Sequence, residues 1–245
     1  MNSNLEKLIA LTKESINKTA DLIEGRKIET NQEILSQFFL GKTVTTFYAV
    51  SALCNMGYGQ DAIVLVRTML ENLINYRYIN QEPEERSQLF IEFDYIKAKK
   101  RLRTYSALFP EKEIDPEVLK EIDEKYSRVI DNYPKSISCS LQWAGKNNAD
   151  MAKACDLENL YQMIYPLASS FAHGGSESTV DYIEKGQKGF IIRLGSPSDE
   201  LIIQSVTSAC SIVLLMIQDT CELFSIQPPP VCYEALDLFG EIQPN

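Results

Sequence analysis

The sequence predicts an all-α fold: about seven helices in one antiparallel bundle-like domain over residues 1–245, with a small β-hairpin near residues 179–195. Three observations carry that prediction. Apolar residues recur at helical spacing through most of the chain up to about residue 225. Capping residues, prolines and glycines punctuate the periodic stretches. One stretch differs: TVDYIE and FIIRLG are β-branched or aromatic runs flanking a glycine-bearing KGQKG.

The elements follow in order. Leu5, Leu8, Ile9, Leu11, Ile16, Ala20 and Ile23 make an apolar face over 3–24, and Gly25 ends that helix. Thr30 with Glu33 has the capping-box spacing and opens a second helix, about 31–56. Gly41 and the run Thr43, Val44, Thr45, Thr46 are poor helix formers, so tertiary burial is expected to hold them, with small residues allowing close helix approach. Gly57 and Gly59 turn the chain into a central helix. Pro83 suits the first turn of a fourth helix, about 83–108, and Asp115 with Pro116 opens a fifth, about 116–131. Residues 132–147 read as a loop anchored by Trp143. Asp156 is expected to cap a helix over 157–173, kinked at Pro166 and ended by Gly174 and Gly175. A two-stranded hairpin is marginal alone, so 179–195 is expected to lie on the helices. Ser198 is expected to cap a last helix, about 199–225. The core then spans about 3–225, and residues 226–245 form a proline-rich tail that wraps the body or reaches a partner.

The rest is organised around Gly57 to Ile79. Wound as a helix, this stretch gathers Ala62, Leu65, Val66, Met69, Leu70 and Leu73 on one side. Gln60, Asp61, Arg67, Thr68, Glu71, Asn72, Asn75 and Tyr78 gather on the other. Arg67 and Glu71 stand four apart and can pair. This arc has no lysine, which suits a face meeting another polar surface. An amphipathic helix wetting its polar side is the alternative.

Composition excludes several functions. The six cysteines include no closely spaced pair, so zinc fingers and paired-thiol redox sites are excluded and a reduced, cytoplasmic, bacterial-type chain is expected. No metal motif, phosphate-binding glycine loop or nucleophile elbow is present, and no cofactor is expected. The longest apolar run, Ala209 to Ile217, is too short to cross a bilayer, so no membrane partner is expected. The net charge of −10 disfavours RNA, although RNA stays open as a partner if charge is segregated. The basic run Lys97 to Arg103 would spread around a helix and reads as a solvated face.

Candidate chemistry rests on few residues. His173 is the only histidine, so any imidazole mechanism must use it. Ser169 or Ser170 would share its helical arc, yet a histidine in a last turn also suits the helix C-terminus without any chemistry. Asn75 joins Arg67 and Glu71 on the central polar arc as a candidate ligand contact. Trp143, Lys146 and Asn147 form a second cluster in which Lys146 could take an anion; a turn anchored by Trp143 is the structural alternative. Asp94 and Lys97 are a third pair, equally readable as a surface ion pair.

RTMLEN, FDYIKAKK and SSFAHGG together resemble a bacterial all-helical domain family of unknown function over about 30–225. More remotely, Arg67 with Glu71 on one helix and Ser170 with His173 on another is similar to the HEPN superfamily of helical toxin and defence ribonucleases. That resemblance implies a catalytic set of His173, Ser170, Arg67 and Glu71, working without metal. Those enzymes carry an arginine a few residues before the histidine on the same helix, whereas PLASSFA before His173 has none. Two functions follow: a non-catalytic interaction module, expected to be a homodimer with a structural Arg/Glu/His network, or a HEPN-like ribonuclease using His173 as general acid or base.

Overall fold

The computed structural model describes residues 3–131, 133, 142–186, 189–192 and 197–242. Nine α-helices stand among them: α1 (Ser3–Ile23), α2 (Asn31–Asn55), α3 (Gly59–Asn80), α4 (Pro83–Leu108), α5 (Pro116–Ile130), α6 (Asn148–Ala154), α7 (Glu158–Ala172), α8 (Ile202–Leu223) and α9 (Pro230–Ile242). A 3-10 turn, Ser176–Asp181, leads from α7 into strands β1 (Ile183–Gly186) and β2 (Gly189–Ile192).

Helix α3 is the hub. It packs against α2, α4, α6, α7 and α8, and so it is enclosed on more sides than an amphipathic surface helix. Met69, Leu70, Leu73 and Ile74 have essentially no exposed surface, each contributing about 1.5–3 kcal/mol of burial. Helix α8 lies against α1, α2 and α3. It is the one helix among the described residues long and apolar enough to cross a membrane, and most of it is buried in the protein core. The helix itself is 22 residues long, against the shorter apolar run Ala209–Ile217 that the sequence shows.

Caps and glycines set the joints. Both halves of the capping box form at α2: the Glu33 N–H donates to Thr30 Oγ1 at 3.2 Å, and the Thr30 N–H donates to Glu33 Oε2 at 2.9 Å. Asp115 caps α5 by accepting from the Glu117 N–H at 2.8 Å. Gly57 sits at φ +83°, and a Cβ on Gly59 would stand 2.0 Å from the Glu200 carbonyl. Only glycine therefore lets the start of α3 press against the segment that enters α8. The Ser198 N–H donates to the Gly57 carbonyl at 2.8 Å and fixes that joint.

Five expectations change. Among the described residues there are nine helices rather than about seven: α6 falls between the expected loop and the expected 157–173 helix, where no element is expected, and α9 falls in the expected tail. The tail packs on the body, one of its two expected courses, but as a helix: Pro230 begins α9, where a missing N–H costs nothing, and α9 packs on α1 and α8. Asp156 does not cap α7; it lies at φ +56°, and Leu157 precedes the helix without a side-chain cap. Ser198 accepts from the Glu200 N–H at 3.2 Å, but α8 starts only after Leu201. The hairpin does form, in antiparallel register from Ile183 opposite Ile192 to Gly186 opposite Gly189. It does not lie on the helices as expected: Ile183, Phe190, Ile191 and Ile192 are all exposed. Helix α7 continues through Pro166.

Candidate functional site

Two polar centres lie along α3, ten residues and about 15 Å of helix apart. The first is built on Arg67. Its Nε donates to Glu71 Oε1 at 3.1 Å, Nη2 to the Tyr165 hydroxyl at 2.8 Å and Nη1 to Ser169 Oγ at 3.4 Å. The guanidinium also stands 4.4 Å from the Tyr165 ring centre, an attractive cation–π placement. Tyr161 stacks on Tyr165 with ring centres 4.5 Å apart. Burial raises the Tyr161 pKa, with Arg67 pulling it down. Asn148 Nδ2 donates to Glu71 Oε1 at 3.2 Å. Arg67 and Glu71 side chains keep 24% and 32% of their surface exposed, so the pair is half-buried rather than solvated.

The network continues one turn further along α3. Asn75 donates to the Glu71 carbonyl at 2.8 Å and accepts from Trp143 Nε1 at 2.7 Å. Trp143 is buried edge-on against Tyr78 and Phe90. Trp143 acts as an anchor on α3, as expected; residues 132 and 134–141 of that expected loop lie outside the described residues. Lys146 stands 5.6 Å from the Tyr78 ring. Asn147 caps α6, accepting from the Asp150 N–H at 2.8 Å.

His173 and Ser170 sit at the end of α7. His173 is exposed, and its backbone N–H donates to the Ser169 carbonyl at 3.1 Å. Among the described residues no hydrogen bond or ion pair joins its ring to Arg67 or Glu71. Ser170 Oγ lies where a Cβ on Gly175 would stand, at 2.3 Å, so its hydroxyl faces the turn after α7. Ser169, one turn before His173, is the serine that reaches Arg67. Asp94 and Lys97 do not pair with each other. Asp94 takes Arg101 at 3.4 Å, and Lys97 lies over the Phe93 ring. The rest of that basic run is likewise engaged, Lys99 with Asp123 and Arg103 over Tyr126.

The second centre has no counterpart in the sequence reading. Arg77 grips Asp219 of α8 through Nε to Oδ2 at 2.6 Å and Nη2 to Oδ1 at 3.0 Å. The pair stands in a cleft of about 650 Å³ lined also by Gln32, Asn80, Asp156 and Glu222. Burial pushes the Asp219 carboxyl above the usual range, with Arg77 opposing. Burial also pushes the Cys155 thiol at this cleft up to about 11. Its partners lie 142 residues apart, and no local spacing announces such a pair. Tyr165 and Asn148 were missed for the same reason; the absence of lysine on the α3 arc was the only hint that its polar groups meet others.

The comparisons with known proteins bear on the first centre. Residues 33–190 match a sequence family described as a family of unknown function, DUF5677. The chain belongs to that family. The matched span carries Arg67, Glu71, Asn75, Trp143, Tyr165, Ser169 and His173, and ends before Asp219. No curated protein and no solved structure matches the chain.

Proposed function

We propose that this DUF5677 member is a non-catalytic helical interaction module that acts as a homodimer, with the Arg67 network as an internal strut. The observation that supports this best is the state of the Arg67 guanidinium. Each of its three nitrogens donates a hydrogen bond inside the protein, and one face rests on Tyr165. An arginine that clamps a phosphate in a transition state must present a free fork of N–H groups. Here three of the five Arg67 N–H groups are already engaged, and the two that reach Tyr165 and Ser169 join α3 to α7. The exposed His173 ring adds nothing to this strut, and Ser170 faces away from it.

A second reading keeps the HEPN-like ribonuclease, because Ser169 connects Arg67 to the helical turn that ends at His173. The two readings part in one assay. Purified protein is incubated with single-stranded RNA in the presence of a chelator, alongside His173→Ala. The module reading expects no cleavage by either preparation. Cleavage by the wild type, with a loss of about 10²–10⁴ in the mutant, overturns it in favour of the ribonuclease.

A further inference from the structure

Helix α2 is poorer in charge than α1, α4 and α5. Two of its 25 residues are charged, Glu33 and Lys42, against seven of 15 in α5. Its inner side packs on α3, α4 and α8. Its outer side is nevertheless apolar: Ile34, Phe38, Gly41, Thr45, Tyr48 and Ala52 are all exposed, Phe38 to 48%. Their spacing alternates four and three, the period of a helix–helix seam. The Thr45 hydroxyl donates to the Gly41 carbonyl at 2.9 Å, so its methyl is what remains to present outward.

Gly41 gives the seam a centre. A Cβ there would meet nothing within 4 Å, so packing within the chain does not require glycine. Glycine in mid-helix costs about 1 kcal/mol relative to alanine, and a small residue is useful where another helix crosses closely. The close approach expected at Gly41 is thus absent inside the chain. Beside it, between α1 and α2, runs an apolar groove of about 210 Å³ floored by Ile217.

We propose that a second copy of this chain packs on this face, α2 antiparallel to α2 about a twofold axis at the level of Thr43. The seam is symmetric about that position. Ile34 then meets Ala52 of the second copy, Phe38 meets Tyr48, and Gly41 meets Thr45, so large residues face small ones or aromatic partners, with the smallest at the crossing. Every layer joins the two kinds of seam position, as antiparallel pairing requires. Charge favours the same face. Two copies of a chain of net charge −10 repel each other over most of their surface, whereas this seam has no carboxylate among its six positions and is edged by Lys42 and by Lys13 of α1, 5.8 Å from the Tyr48 ring centre. About 28 Å of helix buries less than the ~800 Å² per partner of a standard interface, so the dimer is reversible and concentration-dependent.

This surface rests on the homodimeric reading above and gives it an address. The test is sedimentation velocity of the full chain across a concentration series, with Phe38→Glu, Gly41→Glu and the double variant Phe38→Glu/Tyr48→Lys. Melts at low concentration confirm that each folds; Gly41→Glu fills open space and exchanges glycine for a better helix former. The wild type is expected to dimerise, each single variant to weaken the dimer by at least about tenfold, and the double variant to recover it through opposed charges. A wild-type dimer that both single variants leave intact overturns the α2 seam while the dimeric reading stands. A wild type that stays monomeric at every concentration overturns both.

Discussion

Arg67 and Arg77 sit on one helix, and each bonds a carboxylate, yet they differ in what they hold. Arg67 takes Glu71 from its own helix and then reaches Tyr165 and Ser169 on α7, so the ion pair is the local end of a larger polar joint. Arg77 takes Asp219 from α8 in a two-pronged contact across the core. The first pair would exist in any helix with that spacing; the second exists only once α3 and α8 have come together. The comparison teaches that a charged residue's local partner does not measure its structural weight.

Breaking the Arg77 pair is expected to have the largest effect. Removing one member of a buried pair strands the other and costs about 3–5 kcal/mol. Here the side chains retain 25% and 18% exposure, and solvent screening reduces the expected loss for Asp219→Asn to about 1–3 kcal/mol. The double change Arg77→Met/Asp219→Leu should lie within about 1 kcal/mol of wild type, since it removes both desolvated charges. Urea melts of the three variants check this, and a double change as damaging as the single one would show that the pair is itself a major source of stability. The pH dependence has a definite sign. Burial raises the Asp219 carboxyl in the folded protein, so the fold holds that proton more tightly than the unfolded chain does. Its contribution is greatest below the ordinary carboxylate value and erodes as pH rises through the folded value. Asp219→Asn should remove that slope.

The Arg67 joint should give a smaller effect with stronger coupling. Glu71→Ala frees both Arg67 and Asn148 from their shared acceptor, for about 1–2 kcal/mol. Arg67→Ala loses Tyr165 and Ser169 as well. In a double-mutant cycle the two changes should fall short of additivity by about 0.5–1.5 kcal/mol. Additive effects near zero would make Arg67 a wetted surface residue and remove the strut on which the non-catalytic reading leans.

How much of this was legible follows the same local-versus-distant line. The capping box at Thr30 and Glu33, the turn at Gly57, and the Arg67–Glu71 pair all depend on residues within four positions, and the structure contains each of them. Helix α6 has only seven residues, too few for a period to register against the serines and glycine before it. Helix α9 was hidden by Pro228 to Pro230, because a proline that ends one pattern also serves as the first residue of the next. Trp143 was readable as an anchor, but its bond to Asn75 was not, since 68 residues separate them. Arg77 lacked even a hint, because its acceptor arrives with α8. The hairpin was found by composition and misplaced by thermodynamics: two four-residue strands were expected to need cover, and their apolar side chains stand open.

The smallest effect is expected at Asp94, whose position on α4 makes it the control for both arginines. Its carboxylate meets Arg101 at 3.4 Å, seven residues along the chain, with both side chains more than 60% exposed. Water solvates each charge nearly as well as the partner does, and holding two long side chains in one geometry costs rotamer entropy, so such pairs contribute about 0–1 kcal/mol. Asp94→Asn should therefore shift stability by less than about 0.5 kcal/mol, and the shift should vanish in high salt, where exposed charges are screened. Urea melts at low and high salt check this beside Glu71→Ala. If Asp94→Asn costs as much as Glu71→Ala, burial is not what separates α3 from α4, and the weight assigned to the Arg67 joint has to be found elsewhere in α3.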